Sequence, residues 1–219
     1  MEANADAAIS YIIQDADYVT HSLATNFDPS IGLIFHDEGG YAERENEPGG
    51  AGKYGISFTL FKEMWVKESK LDKPILSMRA GGPTFEDLKA LTEDEASYLY
   101  KTYIFPEISF NELPLGVDYV MINLRTMQGA TGAKKIFQES MALPITGKFD
   151  YDDWDAIHKA DPYKLVAGLL LLQTKLKMND PRVGPWKDSN GKEWGGFGPG
   201  WGNRIWRVWN RAIGMMEAI

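Results

Sequence analysis

A dense group of carboxylates and glycines occurs early in the chain, in the stretch HDEGGYAERENEPGGAGKYGIS at residues 36–57. Within it, Glu38 continues an apolar stripe at helical spacing and stands where the next apolar residue would be expected. The preceding members of the stripe are Ile31, Ile34 and Phe35. Burial at the end of such a stripe favours a protonated carboxylic acid, which can donate a proton to a leaving oxygen. Glu38 is therefore a candidate general acid; the alternative is an exposed helix end with Glu38 in water.

A second carboxylate, Glu47, lies nine positions after Glu38, across a predicted hairpin. Inverting glycosidases combine a protonated acid with a second group that activates water, and their two carboxyl groups stand roughly 6.5–9.5 Å apart. A hairpin can span such a gap, although the sequence does not fix the distance. We therefore treat Glu47 as a candidate for assisting the attacking water.

The composition argues against several other classes of function. The formal net charge of −8 disfavours a nucleic-acid-binding protein, which normally carries a basic excess. The chain has no cysteine, which excludes disulfides, thiol catalysis and Cys-ligated zinc. Its three histidines are widely separated, and no glycine-rich phosphate loop follows a strand. We therefore expect no cofactor, no metal and no nucleic acid.

Neither a membrane span nor a signal peptide is predicted. The longest apolar run, LVAGLLLLQ at residues 165–173, is too short to cross a bilayer. The first residues lack the basic end and the long apolar run of a signal peptide. We expect synthesis in the cytoplasm without a signal peptide.

Helical periodicity dominates the sequence, so the predicted fold class is mainly α, with a small β-hairpin or loop element near residues 41–57. A connector is predicted over 70–83, and 143–149 is a second candidate extended segment. Predicted helices cover 4–23, 28–38, 58–68, 92–103, 115–127, 130–141, 151–159, 162–178 and 202–217.

Two features near the C-terminus could bind ligands. The glycine-rich loop 184–201 contains Trp194 and Trp201, whose flat faces could stack on sugar rings or anchor the loop to the core. Arg204, Arg207 and Arg211 share one face of the last predicted helix. This face could meet an acidic partner, but a solvated surface is the commoner outcome.

The motifs around Glu38 resemble the signature of the glycoside hydrolase family 108 N-acetylmuramidases, which are lysozyme-like enzymes encoded by phages and bacteria. The resemblance covers roughly residues 29–210. The matching segments are Glu38-Gly39-Gly40-Tyr41, Pro48-Gly49-Gly50, Tyr54-Gly55-Ile56-Ser57, ELPLGVDYVMINLRTMQG at 112–129, ALPITGKFDYDDWDAI at 142–157 and GPGWGNRIWRV at 198–208. The segment at 142–157 is similar to the peptidoglycan-binding-like part of these proteins.

The resemblance implies that Glu38 is the catalytic acid and that Glu47 occupies the family's acidic position before Pro-Gly-Gly. The residues implied to line the cleft and bind the sugar are Tyr41, Tyr54, Ser57 and Asn123. The chain also departs from the family pattern. Gly52 replaces a usual Thr of the kind that helps hold the attacking water in lysozyme-like sites. Asn123 replaces an Asp and Met127 an Asn, while Ile104, Phe105 and Pro106 alter aromatic and acidic positions.

The sequence thus predicts a peptidoglycan hydrolase, a muramidase that cleaves the β-1,4 bond between N-acetylmuramic acid and N-acetylglucosamine. One alternative is a catalytically weak or inactive lysozyme-fold virion or tail component that binds peptidoglycan or a partner subunit. A second is a lytic transglycosylase, which needs one acid and forms an anhydro sugar without water.

The predicted organisation has three parts: an N-terminal helical extension at 1–27, a lysozyme-like catalytic region at 28–141, and a C-terminal helical peptidoglycan-binding-like region at 142–219. The expected partner is bacterial peptidoglycan, with phage tail or baseplate proteins as further partners through residues 1–27. The resemblance favours a phage endolysin or a virion-associated lysin that acts at the cell wall or periplasm.

Overall fold

The computed structural model describes residues 27–43, 50–76, 81–178, 186–187, 193–194 and 199–217, with the backbone alone at 186–187, 193–194 and 199–201. The predicted N-terminal helix at 4–23 lies outside these residues. Within them the helices are α1 (Phe27–Glu38), α2 (Phe58–Glu68), α3 (Phe85–Ala90), α4 (Glu93–Leu99), α5 (Val117–Ser140), α6 (Tyr151–Lys159), α7 (Pro162–Met178) and α8 (Pro199–Glu217).

The described residues also form short strands. A three-stranded antiparallel sheet has the order β1 (Ala42–Glu43), β2 (Ala51–Lys53) and β3 (Ile56–Ser57). A separate antiparallel pair consists of β4 (Trp186–Lys187) and β5 (Glu193–Trp194). The mainly α fold with a small sheet inside 41–57 confirms the predicted fold class.

Two compact units make up the chain, one formed by Phe27–Glu107 and the other including Ile108–Ile219. The three-part functional division predicted from the sequence stays a prediction.

In the unit at 27–107, the apolar stripe of α1 is buried as predicted, together with one face of α2, Leu88 of α3, and Ala96 and Leu99 of α4. The side chain of Ser57 caps α2 by accepting a hydrogen bond from the amide of Leu60 at 3.3 Å. A capping box of Thr92 and Glu95 opens α4, with hydrogen bonds of 3.2 and 2.8 Å. A π-helical turn at Tyr100–Ile104 then continues α4.

In the unit from 108 onward, α5 packs against both α7 and α8. Gly116 at the start of α5 shows how close the approach to α8 is. A Cβ on Gly116 would lie 2.6 Å from the carbonyl oxygen of Ala212, and its φ of +80° is also a glycine conformation. Gly129, with φ of 72° and ψ of 167°, breaks α5 where two helices were predicted.

One element was not predicted, and two sequence predictions differ from the structure. α3 was not predicted, because its six residues are too few to show a helical period. Residues 143–149 form no strand and lie in a loop. The predicted solvated arginine face is wrong for Arg211, which is 3% exposed and donates a hydrogen bond from Nη1 to the Tyr119 hydroxyl at 3.2 Å.

Candidate active site

Glu38 is the last residue of α1, and its side chain is half-buried at the end of the buried stripe. Gly39 ends the helix with a left-handed φ of +70°, and its amide donates to the carbonyl oxygen of Phe35 at 2.9 Å. A residue with a side chain would be strained at this φ. The sequence Glu-Gly therefore presents an acid at the point where the helix stops and the chain turns toward the sheet.

The hairpin between β2 and β3 is tied to the same point. Its turn consists of Tyr54 and Gly55, whose φ values of 52° and 75° are those of a two-residue hairpin turn of the primed class. The amide of Tyr54 donates to the carbonyl oxygen of Gly39 at 3.3 Å. The Tyr54 ring lies 4.8 Å from the ring of Phe35, centroid to centroid. Tyr54 therefore lies against the end of α1, where it contacts Phe35 and Gly39, the residue that follows Glu38.

Tyr41 follows Glu38 by three positions and makes a polar contact within the sheet. Its hydroxyl donates to Glu43 Oε1 at 2.7 Å. This hydrogen bond is the main reason that the pKa of Tyr41 is raised to about 12, with desolvation and the negative charges of Glu43 and Glu86 adding to it. Lys89 Nζ lies 5.7 Å from the centre of the Tyr41 ring.

Cationic groups accompany these tyrosines. Lys53 Nζ lies 5.1 Å from the centre of the Tyr54 ring and donates to the carbonyl oxygen of Lys89 at 2.6 Å. The surface around the two tyrosines thus carries both ammonium groups and the carboxylates of Glu43 and Glu86. Such a mixed surface can hydrogen-bond hydroxyl, amide and carboxylate groups of a ligand.

Four predicted site residues lie in one unit: Glu38, Tyr41, Tyr54 and Ser57. Among them, Tyr54 contacts the residue that follows Glu38, through the hydrogen bond from its amide to the Gly39 carbonyl oxygen. Ser57 uses its hydroxyl oxygen as the helix cap described above, so any sugar contact would have to be made by its hydrogen or its second lone pair.

The remaining predicted residues are not joined to this group by the described structure. Glu47 lies outside the described residues. Asn123 is on α5 in the other unit, 2% exposed, and its Oδ1 has no hydrogen-bond partner among the described residues. Trp194 belongs to β5 and Trp201 to α8, and the side chains of both lie outside the described part.

Gly52 stands in β2, where its register partners are Ala42 and Ser57. A Cβ on Gly52 would lie 3.6 Å from the carbonyl oxygen of Ile56, an ordinary van der Waals distance. Position 52 therefore has room for a Cβ, and packing of that atom does not require glycine.

Sequence reasoning missed Tyr100, which reaches the same hairpin. Its hydroxyl donates to the carbonyl oxygen of Tyr54 at 2.9 Å, across a sequence separation of 46 residues. Three tyrosines occur close together in the segment SYLYKTY, and their spacing does not reveal which hydroxyl points inward. No local signal could have found this contact.

An apolar groove lies in the other unit, between α7 and α8. Its volume is about 330 Å³, and Trp206 on its rim is 57% exposed. The lining residues are Leu170, Leu171, Thr174, Gly202, Ile205, Trp206 and Trp209. Within the described ranges, no group of three or more His, Asp or Glu side chains could hold a metal ion, and no helix has the length and apolarity of a membrane span.

Glu38 thus stands at the end of α1, and the residue after it is hydrogen-bonded to the hairpin that carries Tyr54. Residues 31–129 match the family Glycosyl hydrolase 108. Over residues 31–129 this match confirms the family resemblance predicted from the motifs, and it supports a glycoside hydrolase, a peptidoglycan hydrolase of the lysozyme kind. None of the curated protein sequences matches the chain.

A solved structure of SagA from Brucella abortus is similar to this chain. The TM-score is 0.67 at 23% sequence identity, and the match covers 87% of this chain and 95% of the SagA chain. A likeness at this identity shows the fold, which extends well beyond the 31–129 segment matched by the glycosyl hydrolase 108 family.

Proposed function

We propose that this protein is an N-acetylmuramidase that hydrolyses the β-1,4 bond between N-acetylmuramic acid and N-acetylglucosamine, with Glu38 as its general acid. The observation that carries the proposal is the position of Glu38. It ends a helix whose stripe is buried, and the next residue is hydrogen-bonded to the β2–β3 hairpin. Glu38 lies in the segment that matches the glycoside hydrolase family, and its backbone is held at a turn. A carboxyl group held in this way can donate a proton at a defined position.

The reaction balances with two groups. The carboxyl of Glu38 gives its proton to the glycosidic oxygen while the bond from that oxygen to the anomeric carbon breaks. A water molecule adds its oxygen to the anomeric carbon and loses a proton to a base. We assign this second role to Glu47, because it is the carboxylate at the family's acidic position.

Sugar binding would use the polar and aromatic groups near the acid. Tyr41 and Tyr54 lie in the unit that holds Glu38, and both have lysines beside their rings. Ser57 and Asn123 would add hydrogen bonds, and Trp194 and Trp201 would stack on the apolar faces of sugar rings.

A phage endolysin or a virion-associated lysin is the biological form that we propose, with the wall as the place of action. Residues 1–27 would supply the contact to tail or baseplate proteins in the virion-associated form. Mass spectrometry of purified virions separates the two forms, since an endolysin is absent from the particle and a tail-borne lysin is present.

The decisive experiment compares the native protein with Glu38→Gln on purified peptidoglycan, following turbidity and the mass of the products. Loss of a general acid should lower the rate at least about a hundredfold. Glu63→Gln is the matched control, because Glu63 is an exposed glutamate on α2 in the same unit. Clearing by the native protein and the control, with new reducing N-acetylmuramic acid ends, is the expected result.

Each other outcome points elsewhere. Equal clearing by Glu38→Gln would remove Glu38 from the mechanism. Products with 1,6-anhydro ends would identify a lytic transglycosylase. A native protein that sediments with the wall and cleaves nothing, where a control lysozyme succeeds, would be a binding protein. The variant Glu47→Gln in the same assay tests the base, whose loss should abolish hydrolysis with the fold retained.

A further inference from the structure

The turn residue Tyr54 adopts a backbone conformation that a tyrosine does not favour. Its φ of 52° lies in the left-handed region, where residues other than glycine are uncommon. Such a conformation persists only where the surroundings hold it in place, and it concentrates at functional sites. The question is therefore which groups hold Tyr54 in the turn.

Tyr54 makes three contacts with other segments of the 27–107 unit, two with the end of α1 and one with Tyr100. Its amide donates to the Gly39 carbonyl at 3.3 Å, and its ring packs on Phe35 at 4.8 Å. Its carbonyl oxygen accepts the hydrogen bond from the hydroxyl of Tyr100 at 2.9 Å. The last contact fixes the orientation of the peptide group that follows Tyr54.

The hydroxyl of Tyr100 is the part of this side chain that packing does not explain. The residue is 0% exposed, and its ring lies edge-on to Phe35 at 5.7 Å and to Phe105 at 6.0 Å. A phenylalanine would fill the same apolar space. A buried hydroxyl costs stability unless it is hydrogen-bonded, so its presence here points to its acceptor, the carbonyl of Tyr54.

Tyr100 also lies at an irregular point of the helix. Tyr100 begins the π-helical turn Tyr100–Ile104, and the amide of Phe105 bonds to the Tyr100 carbonyl. π-Turns are rare and recur at functional positions, because the extra residue re-aims side chains relative to an α-helix. Hydrogen bonds thus run from Tyr100 to Tyr54 and from Tyr54 to Gly39, the residue directly after Glu38.

We propose that Tyr100 is a positioning residue for Glu38. Its hydroxyl holds the strained Tyr54 turn, and the turn holds the backbone at the end of α1. The inference rests on the proposed role of Glu38 as the acid. Reaction rates depend steeply on such placement, since a displacement of about 1 Å can cost about a hundredfold.

The test uses Tyr100→Phe in the full chain, with kcat and KM measured on soluble peptidoglycan glycan strands. We expect kcat to fall about tenfold or more with KM little changed, because substrate contacts remain and the acid is misplaced. Tyr103→Phe is the matched control. It removes a tyrosine hydroxyl from the same π-turn, but that hydroxyl bonds Glu68 instead of the hairpin.

A second readout does not depend on catalysis. Amide hydrogen exchange at Tyr54 should accelerate in Tyr100→Phe and stay unchanged in Tyr103→Phe, after the rates are corrected for any change in global stability. If both variants match the native kcat and exchange rate while the native protein cleaves glycan, the positioning role is overturned and the muramidase proposal stands. A native protein that cleaves no glycan overturns both, since there is then no acid to position.

Discussion

The hydrogen bond from Tyr41 to Glu43 is the best-defined electrostatic interaction of a single side chain near Glu38. It is the largest cause of the rise in the pKa of Tyr41 from 10.0 to about 12, because the protonated phenol is the form that can donate to the carboxylate. The sign of the pH effect follows. The interaction favours the folded protein below pH 10, the ordinary tyrosine value, and this contribution is lost as the pH rises toward 12.

Replacing Glu43 tests whether its hydrogen bond with Tyr41 causes the raised pKa of that tyrosine. In Glu43→Ala the pKa of Tyr41 should return most of the way to 10.0, since both the acceptor and its charge are gone. Phenolate absorbance, taken as the difference between each protein and its Tyr41→Phe counterpart, isolates this tyrosine among the ten. Glu112→Ala is a suitable control, because Glu112 is exposed and lies in the other unit. An unchanged Tyr41 titration in Glu43→Ala would refute the hydrogen bond as the cause.

At the scale of elements, the loop between α5 and α6 depends on one buried amide. Gln138 is 0% exposed, and its Oε1 accepts from the amides of Thr146 and Gly147 at 2.9 and 2.8 Å. Its Nε2 donates to the carbonyl of Lys148 at 2.8 Å and lies within hydrogen-bond distance of Asp153. One side chain therefore satisfies backbone groups on both sides of the turn at Gly147.

Gln138→Ala should lower the free energy of unfolding by about 2–4 kcal/mol, because buried amides and a carboxylate lose their partners at once. Urea denaturation measures this loss, and amide exchange should speed up at Thr146 and Gly147. Glu139→Ala, on the exposed side of the same helix, should change stability by less than about 0.5 kcal/mol. Equal effects of the two substitutions would mean that the loop is held by other contacts.

Elements with strong local signals were predictable, and those that depend on distant partners were not. α2, α6 and α7 have the predicted bounds, because periodicity, caps and breakers all lie within each segment. The position of Glu38 was also local, since the stripe before it fixes its face. Gln138 and Tyr100 escaped prediction because their acceptors come from other segments, up to 46 residues away for Tyr100. The π-turn likewise has no period of its own in the sequence.

At the scale of the whole molecule, charge affects how the protein meets its proposed substrate. The chain carries a formal net charge of −8, and peptidoglycan presents carboxylates on its stem peptides. Both surfaces are therefore negative, and long-range repulsion should slow their encounter at low ionic strength. Many enzymes are steered to charged polymers by attraction between opposite charges, whereas here the net charges of enzyme and substrate have the same sign.

Salt should therefore increase activity on the intact wall. The Debye length falls from about 30 Å at 0.01 M to about 10 Å at 0.1 M ionic strength, so repulsion beyond contact distance is largely screened at the higher value. We expect the clearing rate to rise several-fold over this interval, and to change little on peptidoglycan whose carboxyl groups have been amidated. A clearing rate that falls with salt on the untreated wall would instead show attraction by a local basic surface. Lys53 and Lys89, which lie beside the tyrosine rings of the candidate site, would then be the first residues to replace. Because amidation removes the wall's charge and leaves the enzyme intact, the paired substrates attribute the salt effect to the encounter and not to a change in folding.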